Sequence, residues 1–268
     1  MAHVIYENSF LSNEVEDQFE SHLDLMRFCT VDRSLEGTAG MKRLINVYTA
    51  TDGTEKLAMG EGNSKSIEVG HTQREYIIEL AQNRFNWNDE EAMKDPMLVP
   101  VGMKHAGTDM FNTVNGDVFG EFEKTPQKVD AAAYTFDAFA DAVALLDLPE
   151  NQEVEVFGFV NRKAKAALRK ALKDDLKYVE AFARHGYIGT VCGVNLYDKK
   201  NAKDNEICIG TKAAVTAFIK KGTEVEVVSK NTRSAEDANV RKNSAFSRKY
   251  YVVALTNETQ AAKIALNA

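Results

Sequence analysis

KRLINVYTATDGTEKLAMGEGNSKSIEVGHTQREYIIEL, residues Lys42 to Leu80, is the stretch on which the reading of the fold turns. Lys42 to Thr49 is rich in β-formers, Asp52-Gly53 is a turn dipeptide, and Ile67 to Leu80 is a second extended run. The tip between them, TDGTEKLAMGEGNSKS, is polar and glycine-rich. The pattern predicts one long hairpin with no element of its own to pack against. A lone two-stranded ribbon is marginal in water, because it buries too little apolar surface to offset the ordering of its backbone. It needs a neighbour. The next expected element is one long helix and the compact part of the chain follows later, so the expected neighbour is a second copy of the same chain.

Upstream, Asn13 and Glu16 have capping-box spacing, and Val15, Phe19, Leu23 and Met26 recur with helical period, giving an amphipathic arm with an acidic outer face (Glu14, Asp17, Glu20, Asp24). It runs out at Gly37 to Gly40. Downstream, RFNWNDEE holds the only tryptophan and precedes a helix expected from about Pro96 or Met97 to Phe122, with Pro100 in its first turn. Val99, Met103, Ala106, Met110, Val114, Val118 and Phe122 make one stripe, which over about 25 residues is a spine some 37 Å long. Gly102, Gly107, Gly116 and Gly120 each cost about 1 kcal/mol against alanine inside a helix, which points to close packing or bending. The alternative is two shorter helices broken near Gly107.

From Thr135 the pattern changes to short alternating units. Phe136, Phe139, Ala140, Val143 and Leu146 predict a helix, Glu153 to Val160 a strand, and Arg162 to Lys173 a helix capped by Asn161. Tyr187 to Tyr197 and Glu206 to Ile209 read as strands. Thr211 is expected to cap a helix burying Ala214, Val215, Phe218 and Ile219 and ending at Lys220-Lys221-Gly222. A strand at Glu224 to Val228, a polar loop from Ser229 to Asn243, and strands at Phe246 to Thr256 and Ala262 to Leu266 that return to the spine complete the expectation.

Composition narrows the classes. The 268 residues are 44% hydrophobic, enough for a sizeable core. A net charge of −7 argues against an avid, sequence-reading nucleic-acid protein. Cys29, Cys192 and Cys208 are too few and too scattered for a disulfide framework or a metal site, which suggests reduced thiols and a cytoplasmic origin. No stretch approaches the roughly 18 apolar residues of a membrane helix, and the start has no signal-peptide pattern.

Catalytic patterns are weak. Ser64-Lys65-Ser66 after Gly60 and Gly62 resembles a phosphate loop, but the spacing fails and the segment joins two strands. His3, His22, His71, His105 and His185 lack paired-ligand spacing. His185 near Cys192 is the best base and nucleophile on offer, without an acid to orient the imidazole; a packed cysteine and a surface histidine is the reading preferred. The acidic runs Asp89-Glu90-Glu91 and Asp174-Asp175 fit solvated helix ends better than a metal pair. No catalytic, cofactor-binding or metal residue is assigned, and none is expected. One concentrated charge remains: Arg162, Lys163, Lys165, Arg169, Lys170 and Lys173, on a helix that would bury Ala164, Ala167, Leu168, Ala171 and Leu172. Phosphate contact is one reading. A solvated face that pairs with acidic neighbours or subunits is preferred.

Three phrases resemble a known family. ALRKALKDDLKYVEAFARHGYIGTVCGV (Ala167 to Val194), VIYENSFLSNEVED near the start and AGMKRLINVYTATDGTEKLAMGEGN are similar to stretches of tailed-bacteriophage major capsid proteins. The order of parts agrees. The resemblance implies an α+β Hong Kong 97-type capsid fold divided into an N-terminal arm (1–36), an extended E-loop hairpin (37–82), a peripheral domain with the spine helix (83–130 and 240–268) and an α/β axial domain (131–239). It implies a structural subunit, not an enzyme, that forms pentamers and hexamers of an icosahedral shell around double-stranded DNA, assembled in the bacterial host cytoplasm. Portal and decoration proteins are implied partners; no membrane is. Some family members carry a fused scaffolding segment before the arm. Here the arm begins near residue 1, so scaffolding is expected to be a separate protein. Some also cross-link an E-loop lysine to a neighbour's asparagine; Lys56 and Lys65 are tip lysines, but no asparagine or glutamate is singled out as partner, and no cross-link is expected. An encapsulin-like shell, an α/β enzyme and a nucleic-acid module using the Arg162 to Lys173 face are the rival readings.

Overall fold

A computed structural model describes residues 23–149, 153–173, 189–229 and 239–266. The expected arm helix lies outside these residues except for its end, where Met26 sits in a 3-10 turn, Leu25–Phe28.

Residues Lys42–Ala50 (β2) and Val69–Ile77 (β3) pair antiparallel in full register, Lys42 against Ile77 and Ala50 against Val69, as a sheet of two strands and no more. Strand β1 (Thr30–Asp32) precedes them. The second run does not continue to Leu80 within the hairpin. It breaks at buried Ile78, whose N–H donates to the Met41 carbonyl, and resumes as β4 (Glu79–Asn88) in a different sheet. The segment RFNWN, to which the sequence pattern assigns no element, is therefore strand. Its ladder partner is β11 (Lys242–Leu255), with Trp87 opposite Asn243, a pairing more than 150 residues away in sequence that local pattern does not reveal.

Helix α1 (Asp89–Lys94) follows, opened by an Asn88/Glu91 capping box. Helix α2 (Leu98–Glu123) is continuous through Gly107 and runs about 39 Å. It buries Met103, Met110, Val114, Val118 and Phe122 of the expected stripe, together with Gly107, Phe111, Asn115 and Phe119. Gly102 is required by a close approach: a Cβ there would lie 2.3 to 2.6 Å from the Phe85 ring of β4.

Helix α2 packs on a four-stranded sheet ordered β1-β10-β11-β4, in which β10 is Val215–Val228. Here the sequence expectation fails. The predicted helix after Thr211 is the first half of β10, paired with β11 from Val215 opposite Leu255. Val215, Thr216, Phe218 and Ile219 are β-branched or aromatic, and in so short an apolar run the ladder offered by β11 outweighs any helical spacing. Lys220-Lys221-Gly222 mark a shift of register near the middle of the strand and end no helix.

The second layer is a six-stranded sheet ordered β5-β12-β9-β6-β8-β7, from Lys128–Ala131 (β5), Val156–Val160 (β6), Thr190–Val191 (β7), Val194–Asp198 (β8), Glu206–Thr211 (β9) and Ala261–Leu266 (β12). Strand β12 thus joins this sheet beside β9 and β5, where a return to the spine was expected. The expected strand Tyr187 to Tyr197 is, over its described residues, a tight hairpin, β7 to β8, turning at Cys192 and Gly193 with φ of 49° and 79°. Two consecutive positive φ values match the twist of the flanking strands. Tyr187 and Ile188 lie outside the described residues.

Strand β6 is buried along its whole length and divides two cores. Phe157 and Phe159 point to the spine, where they meet Phe122 at 5.6 Å each between ring centroids and, with Phe28 and Phe119, form an aromatic cluster extended by Tyr251 and Val253 of β11. Val156 and Val160, on the other face, pack with helices α3 (Phe136–Ala144, capped by Thr135) and α4 (Arg162–Ala171, capped by Asn161). Helix α4 buries Ala164 and Leu168, with Leu172 just beyond it, while Ala167 and Ala171, expected inside, are exposed.

Candidate assembly surfaces

The ribbon β2–β3 has two unlike faces. Contrary to the expectation that the hairpin has no element of its own to pack against, the inner face at its root is covered by β10 and β11: Tyr76 stacks on Phe218 at 5.1 Å, and Ile45 and Tyr76 pack with Ile78, Ala254 and Val252. Arg43 pairs with Asp32 at 3.4 Å and Arg74 with Glu258 at 3.3 Å, so the same face is clamped by charge. The outer face carries Ile77, Leu44, Tyr48 and Val69, each more than half exposed, with Tyr48 against His71. Large apolar side chains interleaved with polar Asn46, Gln73 and Glu75 on one open face fit a surface that is covered in an assembly, and among the described residues nothing buries this one.

The tip is closed by its own polar groups. Asn63 donates to the carbonyls of Gly53 (3.2 Å) and Lys65 (2.7 Å), and both the N–H and the hydroxyl of Ser64 donate to Glu55 at 2.8 Å. Those bonds hold the Glu55 carboxyl below its usual range. They also occupy the Ser64 amide that a phosphate would need. Lys56, Leu57, Met59 and Lys65 stand exposed, Met59 completely.

Beneath the ribbon the spine anchors the end of the arm. Asn115, 3% exposed, accepts from the Leu25 N–H at 3.0 Å and donates to the Leu23 carbonyl at 3.2 Å, so one buried amide closes on a segment 90 residues earlier. Sequence reasoning passed over Asn115; its only signal was a polar residue on the apolar side of a helix. Tyr251 donates to Asp117 at 2.6 Å and the Leu255 N–H to Glu121 at 3.1 Å, fixing β11 to the helix. Burial, then Asp117, raises the Tyr251 hydroxyl pKa. A cleft of about 530 Å³ opens beside these contacts, walled by Gly116, Gly120, Leu80 and Val253.

The basic helix divides into two parts. Lys163 pairs with Asp204 at 2.7 Å and Lys165 with Asp198 at 2.9 Å, as the solvated-face reading expects. Asp204, held down by Lys163 and then by Asn161, also receives the Asn161 amide at 2.5 Å. Arg162, Arg169, Lys170 and Lys173 are exposed.

The remaining candidates resolve into structure. Cys29 and Cys208 are buried, and burial pushes each thiol up to about 12, which makes them poor nucleophiles. Cys192 lies in the β7–β8 turn; its suggested partner His185 is outside the described residues, as are His3, His22 and Asp174-Asp175. His71 lies on the ribbon and His105 is exposed on α2. In the Asp89 to Glu91 run, Asp89 accepts from Asn243, Glu91 caps α1 and Glu90 pairs with Arg241.

No protein-family model matches the sequence, and no curated protein matches it. Solved structures do. The capsid of the cyanophage P-SCSP1u superposes with a TM-score of 0.69 at 12% identity over 90% of this chain and 86% of its own. The mature capsid of bacteriophage PhiM1 gives 0.69 at 11% over 92% and 88%, and the virus-like particle from Pyrococcus furiosus 0.62 at 14% over 97% and 100%. On superpositions that cover about nine-tenths of its length, the chain has the fold of tailed-phage capsid subunits, the Hong Kong 97-type fold.

Proposed function

We propose that this chain is the major capsid protein of a tailed phage, a structural subunit that closes through pentamers and hexamers into an icosahedral shell around double-stranded DNA. One observation carries the reading: a two-stranded ribbon whose outer face, with Leu44, Tyr48, Val69 and Ile77 open, has no cover among the described residues, attached to a body with a phage-capsid fold. Ordering that ribbon costs conformational entropy that a monomer does not recover. A second copy laid against Leu44, Tyr48, Val69 and Ile77 recovers it, and the hydrogen-bonded tip arrives already shaped, which lowers the ordering cost of docking.

In this reading the arm (1–36) and the ribbon (37–82) reach neighbours, while the spine-helix body (83–130 and 240–268) and the axial part (131–239) form the wall. The two wall parts exchange strands, β10 lying with the spine and β12 with the axial sheet. Scaffolding, portal and decoration proteins and a virion assembled in the bacterial cytoplasm belong to the same proposal. The match to the virus-like particle from Pyrococcus furiosus favours a second reading, an encapsulin-like shell around protein, and the contents of the particle separate the two.

Deleting residues 50–66 tests the proposal, since the tip contributes nothing to either core. The expected product is a folded subunit that forms no stable closed shell. Normal particles from the deletion would remove the ribbon from assembly.

A further inference from the structure

The charges of the six-stranded layer are sorted by position in the chain. Between Ala131 and Asn161 the sequence holds Asp137, Asp141, Asp147, Glu150, Glu153 and Glu155 and no lysine or arginine; between Arg162 and Lys173 it holds six bases and no acid. The fold keeps them apart. Helices α3 and α4 share one core, so both lie on the same face of the sheet. Helix α3 packs on β5 and β12 at one end of the strand order, whereas α4 joins the parallel neighbours β6 and β8 near the other. Among the described residues no ion pair links the two helices. The exposed face of α3 is thus acidic and that of α4 basic, although the strands beneath mix both signs, with Lys128 and Lys263 on β5 and β12 and Asp198 and Asp204 beside α4.

Both helices also expose more than a solvated helix needs. Helix α4 buries a narrow i, i+4 stripe and leaves Ala166, Ala167 and Ala171 bare beside Arg169 and Lys170, a flat surface that another helix can approach closely. Helix α3 exposes Asp137 and Asp141 between Phe136, 52% exposed, and Leu145, 42%. Arg169 and Lys170 lie in the last turn of α4, where the helix dipole favours cations, so that end of the helix can present them without cost.

We propose that in the shell the basic face of α4 on one copy lies against the acidic face of α3 on the next, an inference that rests on the assembly reading above. Head-to-tail contact between opposite ends of one layer is heterologous, and repeated by a closing rotation it makes a ring. Opposite charge selects that register over head-to-head contact, where like charges face each other, and the alanines and exposed Phe136 and Leu145 supply the apolar surface between them. Lys163 and Lys165 are outside the contact because Asp204 and Asp198 already hold them.

Charge reversal tests this in the full-length protein. Arg169→Glu with Lys170→Glu, or Asp137→Lys with Asp141→Lys, should each cut shell yield about tenfold or more in about 50 mM salt, where screening is weak, with unassembled subunits that melt like wild type. All four changes in one chain restore opposite charge and should recover most of the yield. A milder pair, Arg169→Gln with Lys170→Gln, should flatten the dependence of yield on salt. Reversed variants that assemble like wild type, or a fourfold variant no better than either pair, would overturn the contact. Normal shells that fail to retain DNA would overturn it too and assign the face to phosphate. Wild-type protein that makes no shell would refute the assembly reading itself, a result distinct from failed rescue in a shell-forming protein.

Discussion

Truncating Phe122 to alanine should be among the most damaging single changes in the chain. The side chain is wholly buried at the C-terminal end of the spine helix, its ring 5.6 Å from Phe157 and from Phe159, and it lies so close to Gly210 that a Cβ there would come within 2.9 Å of it. Phe→Ala in a packed core costs about 3–5 kcal/mol through lost transfer energy and an unfilled cavity. Two edge-to-face aromatic pairs, at about 0.5–1.5 kcal/mol each, place this site toward the upper part of that range, near 4 kcal/mol. At about 2–4 °C per kcal/mol for a chain of this size, the unassembled subunit should melt about 8–16 °C lower. Calorimetry on subunits kept below the assembly concentration reads this directly. Phe136→Ala, at an exposed site, is the control and should shift stability by no more than about 0.5 kcal/mol. A Phe122→Ala melting point within about 3 °C of wild type, about 1.5 kcal/mol at most by the same conversion, would mean that the helix end does not pack on β6.

Other outcomes follow from particular contacts. The thiols of Cys29 and Cys208 are raised to about 12, so the folded state keeps protons that the unfolded state releases above about pH 8.5; stability should be constant below that and fall by up to about 1.4 kcal/mol per pH unit per thiol toward pH 12. Cys29→Ala with Cys208→Ala should flatten that decline in denaturant titrations, and an unchanged slope would contradict the burial argument. Asn115→Ala should cost about 1–3 kcal/mol and expose the chain near Leu25 to limited proteolysis, because two backbone groups lose their partner; wild-type digestion would refute the anchor. Gly116→Ala and Gly120→Ala meet no atom within 4 Å and should each raise subunit stability by about 1 kcal/mol, whereas Gly102→Ala, blocked by Phe85, should lower it. Equal effects at the three glycines would be inconsistent with the helix orientation.

Legibility in the sequence followed the range of the forces. The spine helix, the ribbon and α4 with its Asn161 cap are set by spacing within a few residues, and each appears close to its expected place, although the tight turn of the tip falls at Met59-Gly60 and not at the expected Asp52-Gly53. Strand β10 was misread because Ala214, Val215, Phe218 and Ile219 satisfy a helical face and a strand equally, and β11, distant in sequence, decides between them. Strand β4 was missed for the same reason. The β7–β8 turn is built on Cys192-Gly193, a dipeptide with weak turn character, and Cys192 adopts positive φ only because the two strands already pair around it. Among the assembly features, the open face of the ribbon and the basic helix could be read directly, since alternation and charge survive without coordinates. Asn115 could not, because its role exists only where the returning arm meets the spine. Nor could the separation of α3 from α4, which depends on strand order in a sheet that gathers β5 and β12 from well apart in the chain.

The central claim is that copies of this chain close into a shell, scaffolding aiding the route without forming part of the wall, and electron microscopy of the purified full-length protein tests it most directly. The account predicts closed, icosahedral particles of uniform size, lost when residues 50–66 are removed. Monodisperse monomers or small oligomers across a range of salt and protein concentration, with the ribbon intact, would contradict it.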